Sequence, residues 1–354
     1  MKPSSPPSRC IFITSSPPRW GTQSGPVILR HLLRLREERT VICVSFQPTP
    51  ADYPLEHIAL PLRLPWFMPV RRYLPLSDRI NRWQKVSWLR RRLSVRADDK
   101  LVICLHSTTE HLIARDLALR TRASLIALLH DRWPEDSAEE ITRTLRVCHH
   151  VLAVSQPLAT LAARHTRAKV SRLYPLGEDV LPPPAPPAED SCIGVAGSLG
   201  PEYLEHSCRL GLPVLALGWT GADRPGVIAV EKLPQNLDAL RLLQSRCRAL
   251  VVCQFAHQTD YATYGFPSRL IDFAQTGLPL VLIAEPDTNL GRWAAEKNWR
   301  LWIRCPRDEA AYREITLLLK NPQDWTAESA RTRACALGEF HAAHIHADFL
   351  AALA

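Results

Sequence analysis

The sequence predicts an α/β protein of two domains, each a parallel sheet covered on both faces by helices, and three observations carry that prediction. Short apolar, β-branched runs alternate with amphipathic segments along the whole chain, as strands joined by helical crossovers do. Runs such as Leu280–Ile283 are too short for helices and apolar throughout, the mark of strands covered on both sides. Finally, 174–190 (YPLGEDVLPPPAPPAED) packs five Pro into Pro182–Pro187 and reads as a stiff extended spacer. It divides the 354 residues into an N-terminal domain at 1–174, a linker at 175–190 and a C-terminal domain at 191–354.

In the first domain, Cys10–Thr14 is a strand, followed by the loop 15–25 and an amphipathic helix over Val27–Leu35. Strand, Gly/Ser-containing loop and helix open a mononucleotide-binding type of unit. The loop holds Gly21 and Gly25 but no G-x-G-x-x-G, so a dinucleotide cofactor is not expected. Strands follow at Thr40–Phe46, His57–Leu62, Leu101–Leu105, Ser124–Leu129 and His150–Val154, with helices over Glu110–Leu119, Ile141–Val147 and Pro157–Arg164. Ligands of such sheets bind beyond the carboxyl ends of strands. His106, His130, Asp131 and Ser155 all fall there, either as functional groups or as satisfied loop residues.

Residues 64–96 combine Trp66, Phe67, Tyr73, Trp83 and Trp88 with a dense set of arginines, including Arg90, Arg91 and Arg92. Three readings compete: a packed helix with a solvated basic face, an interfacial helix on anionic lipid, and a nucleic-acid surface. No nucleic-acid motif accompanies the segment, so no nucleic-acid partner is expected. The formal charge of +9 is uneven: residues 1–174 carry 28 Lys and Arg against 14 Asp and Glu, and the remainder 16 against 21. A basic front half points to an anionic partner.

In the second domain, Ile193–Ala196 is a strand that ends in the small-residue loop Gly197-Ser198-Leu199, and Pro201–Leu210 is the next helix. Close approach of backbone to a phosphate needs small residues there. Strands follow at Val214–Leu217, Gly226–Val230 and Ala249–Cys253, then a loop over 254–263. The stretch 264–282 (YGFPSRLIDFAQTGLPLVL) organises the rest. Gly265 permits a tight turn and Pro267 suits the first turn of a helix. Leu270, Phe273, Ala274 and Gly277 form one apolar stripe, and Gly277 stands where a left-handed cap is expected. The polar face shows Ser268, Arg269 and Asp272. Arg269 with backbone N–H groups at the helix start suits a phosphate, and Asp272 suits ribose hydroxyls. A last strand is expected over Asn298–Arg304, with helices over Ala310–Leu319 and Trp325–Ala354.

The motif at 264–282 resembles the donor-binding segment of GT-B glycosyltransferases, in particular the retaining group 1, family 4-like enzymes. In these a Gly-Phe-Pro-Ser-Lys-like turn leads into a helix with an acidic residue, then Gly-x-Pro and a strand. The resemblance implies two Rossmann-like domains facing each other across a cleft. It implies transfer of a sugar, with retention, from a nucleotide-diphosphate sugar to a hydroxyl of a glycan or lipid-linked acceptor. It assigns diphosphate stabilisation to Arg269 and to the backbone near Gly197, Ser198, Leu199, Gly265, Phe266, Pro267 and Ser268. Asp272 would hold the ribose, His130 (with His106 as rival) would contact the sugar, and Gly21 and Gly25 would line the cleft. Leu176-Gly177-Glu178-Asp179 partly echoes a further family motif. The family's paired acids map onto Tyr264 and Asp272, so the first acid is missing. That departure leaves a catalytically degenerate binding or scaffold protein at the membrane as the alternative. The resemblance also implies that no metal or other cofactor is needed.

Composition agrees with a globular protein. No apolar run reaches the ~20 residues of a membrane span, and MKPSSPPSRC has no signal-peptide core, so a cytoplasmic protein, peripheral to the membrane through 64–96, is expected. The ten Cys show no C-x-x-C pair and read as reduced core thiols. Cys148-His149-His150 leads into a strand, where adjacent side chains point apart, and His341, His344 and His346 lack matching acid or thiol ligands, so no metal site is expected.

Overall fold

The computed structural model describes residues 8–20, 25–60, 74–105, 108–197, 200–221 and 224–354. Its contacts divide the chain into two compact units. The first comprises Met1–Arg19, Leu29–Leu173 and Asp348–Ala354, and the second Trp20–Ile28 and Tyr174–Ala347.

The elements of the first half are β1 (Cys10–Thr14), α1 (Gly25–Arg36), β2 (Val41–Ser45), β3 (Glu56–Ala59), α2 (Leu74–Leu93), β4 (Lys100–Cys104), α3 (Thr108–Thr121), β5 (Ser124–Leu129), α4 (Ala138–Leu145), β6 (His150–Ala153), α5 (Gln156–Ala163) and β7 (Lys169–Arg172). They build a parallel seven-stranded sheet in the order β3-β2-β1-β4-β5-β6-β7, with Ile11 opposite Ile42 on one side and Leu101 on the other. The central strands are buried almost throughout, which explains their unbroken apolar sequence. β7 was not expected from its sequence, because KVSR is a charged, half-exposed edge strand. Ser155 caps α5 by accepting the Leu158 N–H at 3.3 Å, a contact that contributes about 1 kcal/mol. α2 seats Val86, Leu89 and Leu93 and carries Arg90, Arg91 and Arg92 outward. Residues 61–73, the first part of the basic segment, lie outside the described residues.

The second half contains β8 (Cys192–Ala196), α6 (Pro201–Cys208), β9 (Val214–Leu217), β10 (Val227–Val230), α7 (Asn236–Arg246), β11 (Cys247–Gln254), α8 (Thr259–Tyr264), α9 (Ser268–Ala274), β12 (Leu280–Ala284), α10 (Asn289–Glu296), β13 (Trp302–Ile303), α11 (Glu309–Lys320), α12 (Pro322–Leu337) and α13 (Ala342–Leu353). Six parallel strands run in the order β10-β9-β8-β11-β12-β13, so the strand order reverses at the β8–β11 pair. Three expectations need correction. The loop foreseen at 254–263 holds a 3-10 turn and the short helix α8. The last strand shrinks to Trp302–Ile303. The final helix is two helices, broken where Gly338 ends α12 and the Phe340 ring turns into the core.

The Pro-rich segment has no regular structure and is tied down. Leu181 N–H donates to Gln275 O at 2.8 Å, Gln244 to Pro182 O at 2.8 Å and Arg248 to Ala188 O at 3.0 Å. Pro184 lies over Gly277, whose φ of +69° confirms the left-handed cap; a Cβ there would stand 3.1 Å from Pro184 Cδ. The segment is thus a strap laid on the second unit. All ten Cys are free and seven are buried. Burial pushes the Cys10 and Cys43 thiols up to about 12.

Candidate functional site

The reversal of strand order places the ends of β8 and β11 side by side, the usual ligand position of a doubly wound sheet. β8 runs out at Ala196 into Gly197, which adopts φ +99°. A Cβ at Gly197 would fall 2.6 Å from Arg269 Nε and 2.7 Å from a terminal guanidinium nitrogen. The guanidinium of Arg269 therefore lies against the Gly197 backbone; the φ of +99° favours glycine there, and a Cβ would push the guanidinium aside. On its other side, Arg269 Cζ stands 5.6 Å from the centre of the Tyr203 ring, and Tyr203 is pinned by donating to Cys253 O at 3.1 Å. One cation is thus held at the switch point between a bare backbone and an aromatic face.

A second glycine adds to this corner. Gly218 ends β9 at φ +85°, and a Cβ there would lie 3.5 Å from Gly197 O and 3.7 Å from Lys232 Cβ. The exposed Lys232, from the loop after β10, was missed in the sequence. The sequence just after Ser198 carries no Lys or Arg, whereas the sheet order brings Lys232 from a loop two strands away.

The turn at 264–268 is shaped from beneath. Gln254, fully buried at the end of β11, donates to Tyr261 O at 2.9 Å and Gly265 O at 3.3 Å, and accepts from Leu290 N–H at 2.7 Å. Asn289 adds a bond to Gly265 O at 2.8 Å. Every polar atom of the Gln254 amide is used, so this side chain locks α8, the turn and the start of α10 together. A Cβ on Gly265 would collide with Tyr261 O at 2.8 Å, so no other residue fits there.

Several residues assigned to ligand binding are placed differently. The Gly265 N–H donates to Tyr261 O at 3.0 Å and is spent. Phe266 goes into the core, with ring centroids 4.9 Å from Tyr174 and 6.3 Å from Phe340. Pro267 is buried at the N-cap of α9, with Ser268 half-buried beside it. Tyr264 is the half-buried last residue of α8, and Asp272 is half-buried one turn after Arg269. Gly177 packs on this helix, since a Cβ there would meet Ile271 at 3.0 Å. Gly25 is buried as the first residue of α1, not a loop residue. His130 follows β5 directly and is half-buried in the first unit. Gly21, His106, Ser198 and Leu199 lie outside the described residues. Among the described residues no three His, Cys, Asp or Glu side chains come together as metal ligands.

No protein-family model matches the sequence, and no curated protein matches it. Solved structures do match. Sucrose-phosphate synthase from Thermosynechococcus elongatus aligns with a TM-score of 0.66 over 97% of each chain at 12% identity. TarM aligns with a TM-score of 0.69 over the whole of both chains at 7% identity. HepE from Anabaena, solved in complex with UDP, aligns with a TM-score of 0.59 over 98% of this chain and 99% of its own at 12% identity. The fold is GT-B. The structural neighbours of this GT-B chain are glycosyltransferases. Among its described residues no helix is long and apolar enough to cross a membrane.

Proposed function

We propose that the chain is a glycosyltransferase that moves a sugar from a nucleotide-diphosphate donor to a hydroxyl of a glycan or glycolipid, with retention at the anomeric carbon. The observation that carries this reading is the Arg269 guanidinium seated on Gly197 at the β8–β11 switch point. As the glycosidic bond to the donor breaks, negative charge builds on the departing diphosphate. A guanidinium already held in place stabilises that charge without reorganising. Lys232 supplies a second positive charge in the same corner, so the leaving group is neutralised by side chains and no bound metal is invoked. Asp272 on α9 accepts from the ribose, and His130 contacts the transferred sugar. The UDP bound to HepE supports a nucleotide-diphosphate donor.

The outer face of α2 supports an acceptor presented at an anionic membrane. Trp83 is 54% exposed with Arg120 5.9 Å from its ring, and Arg90, Arg91 and Arg92 are exposed on the last turn.

Tyr264 favours a second reading. A phenol stands where the family's first acid engages sugar hydroxyls, and a GT-B protein that binds donor without transferring would tolerate it. Release of nucleoside diphosphate from UDP-, GDP- and ADP-hexoses, with and without a glycolipid extract as acceptor, separates the two. Acceptor-dependent release that disappears in Arg269→Ala supports transfer. Donor binding with no release favours the scaffold.

A further inference from the structure

We propose that the second unit carries a separate pocket for a saccharide bearing a single carboxylate. The pocket is a cavity of about 540 Å³, within the range of small-molecule sites. It opens at the ends of three neighbouring strands, where Phe255 follows β11, Glu285 follows β12 and Arg304 follows β13. His206 of α6 forms the facing wall. Neither Gly197 nor Arg269 lines it, and the Tyr203 ring, 5.6 Å from Arg269 Cζ, stands 5.6 Å from the Phe255 ring of its lining. The inference is independent of the transferase reading.

Charge decides what the cavity takes. Three Glu and three Arg line it, and they are unevenly matched. Arg209 lies 3.3 Å from Glu205 and 3.6 Å from Glu309, and Glu202 faces His257 Nε2 at 3.3 Å. Glu285 accepts the Ala256 N–H at 3.1 Å. Arg304 stacks on Trp302 at 4.7 Å, and neither it nor the exposed Arg307 makes an ion pair among the described residues. His206 adds no further cation. Its Nδ1 is 2.7 Å from the Tyr312 hydroxyl, and burial holds its imidazole below the ordinary histidine range.

A phosphate dianion entering here meets three carboxylates, a cation meets three guanidinium groups, and an apolar ligand strips water from all six. A polyhydroxylated ring with one carboxylate satisfies both sets. Arg304 and Arg307 grip the carboxylate through paired N–H bonds, while Glu285 and Glu202 accept from ring hydroxyls. The ring's C–H face lies on the stack of His257 against Phe255, whose planes are 10° apart with centroids at 5.7 Å.

Saturation-transfer NMR on the full chain tests this with glucuronate, glucose and inorganic phosphate as probes. The variants are Arg304→Ala/Arg307→Ala, at exposed positions, and Arg269→Ala. The expected result is transfer to glucuronate well above glucose, undisturbed by phosphate. It should weaken about tenfold in the double variant, the loss of one charge-assisted pair, and persist in Arg269→Ala. Absence of transfer to glucuronate, equal transfer to glucose, displacement by phosphate, or loss in Arg269→Ala with retention in the double variant would each overturn it.

Discussion

The two halves of the molecule share one sheet topology and differ in what stands at the strand ends. Residues 1–174 contain two of the 14 glycines and 28 of the 44 Lys and Arg, while the remainder holds twelve glycines. In the second half, three of the five described glycines at positive φ sit where another group closes in. Gly197 lies under Arg269, Gly218 beside Gly197 O, and Gly277 under Pro184. In the first half, β6 passes into an ordinary Ser155 cap, and the cations crowd the outer face of α2. One parallel-sheet plan thus serves two ends. Removing side chains lets the backbone meet a small ligand, and adding long cationic ones makes a face for a broad anionic surface.

Predictions follow that contrast, from the largest effect to the smallest. Arg269→Ala should weaken nucleoside-diphosphate binding by roughly 2–3 kcal/mol, the loss of charge-assisted hydrogen bonds, with the melting temperature of the free protein nearly unchanged. Calorimetric titration with the best diphosphate measures it. Gly197→Ala should act alike by moving the guanidinium, so the two losses combined should be less than additive.

His111 provides a pH handle on the first unit. It is fully buried, its Nδ1 is 2.9 Å from Thr144 Oγ1, and burial with the nearby Arg115 lowers its pKa to about 4. The unfolded chain takes up that proton near pH 6.5 and the folded one near pH 4. Stability should therefore be retained above pH 6.5 and fall by about 3 kcal/mol as pH drops to 4. Urea unfolding at pH 7.5 and 4.5 tests this, with His111→Phe expected to flatten the difference. A slope unchanged in His111→Phe would remove the assignment.

Gln254→Ala should cost about 2 kcal/mol, because the buried Leu290 N–H loses its partner, while Tyr261 O keeps the Gly265 N–H and Gly265 O keeps Asn289. Chemical denaturation reads the loss, and diphosphate affinity should fall with it as the 264–268 turn loosens. At the small end, Arg90→Glu/Arg91→Glu/Arg92→Glu should leave unfolding within about 0.5 kcal/mol yet abolish flotation with anionic liposomes. Equal flotation would leave the basic face of α2 merely solvated.

Much of the fold was legible because a covered parallel strand must be apolar end to end. β5, β9 and β12 stand out for that reason, and the Gly277 cap follows from a helix that has to stop before Pro279. β7 and β13 were hidden or overdrawn because an edge strand owes little to apolar pattern. Of the site, Arg269 and Gly197 were visible as local motifs, while their contact was not, since they are separated by the whole of β9 to α8. Lys232 and Gln254 were invisible for the same reason: each acts through a neighbour that only the strand order supplies. Phe266 looked like part of a ligand loop because sequence gives its place in the turn but not the inward direction of its ring.

The most direct test of the donor site is a thermal-shift panel of UDP, GDP, ADP and CMP with their common sugar conjugates, run on wild type, Arg269→Ala and Asp272→Ala. A diphosphate at ~100 times its dissociation constant adds roughly 2.7 kcal/mol of stability. With a donor site at Arg269 and Asp272, one base family raises the melting temperature of the wild type and both variants lose the shift. No shift with any diphosphate, or an equal shift in Arg269→Ala, would contradict it.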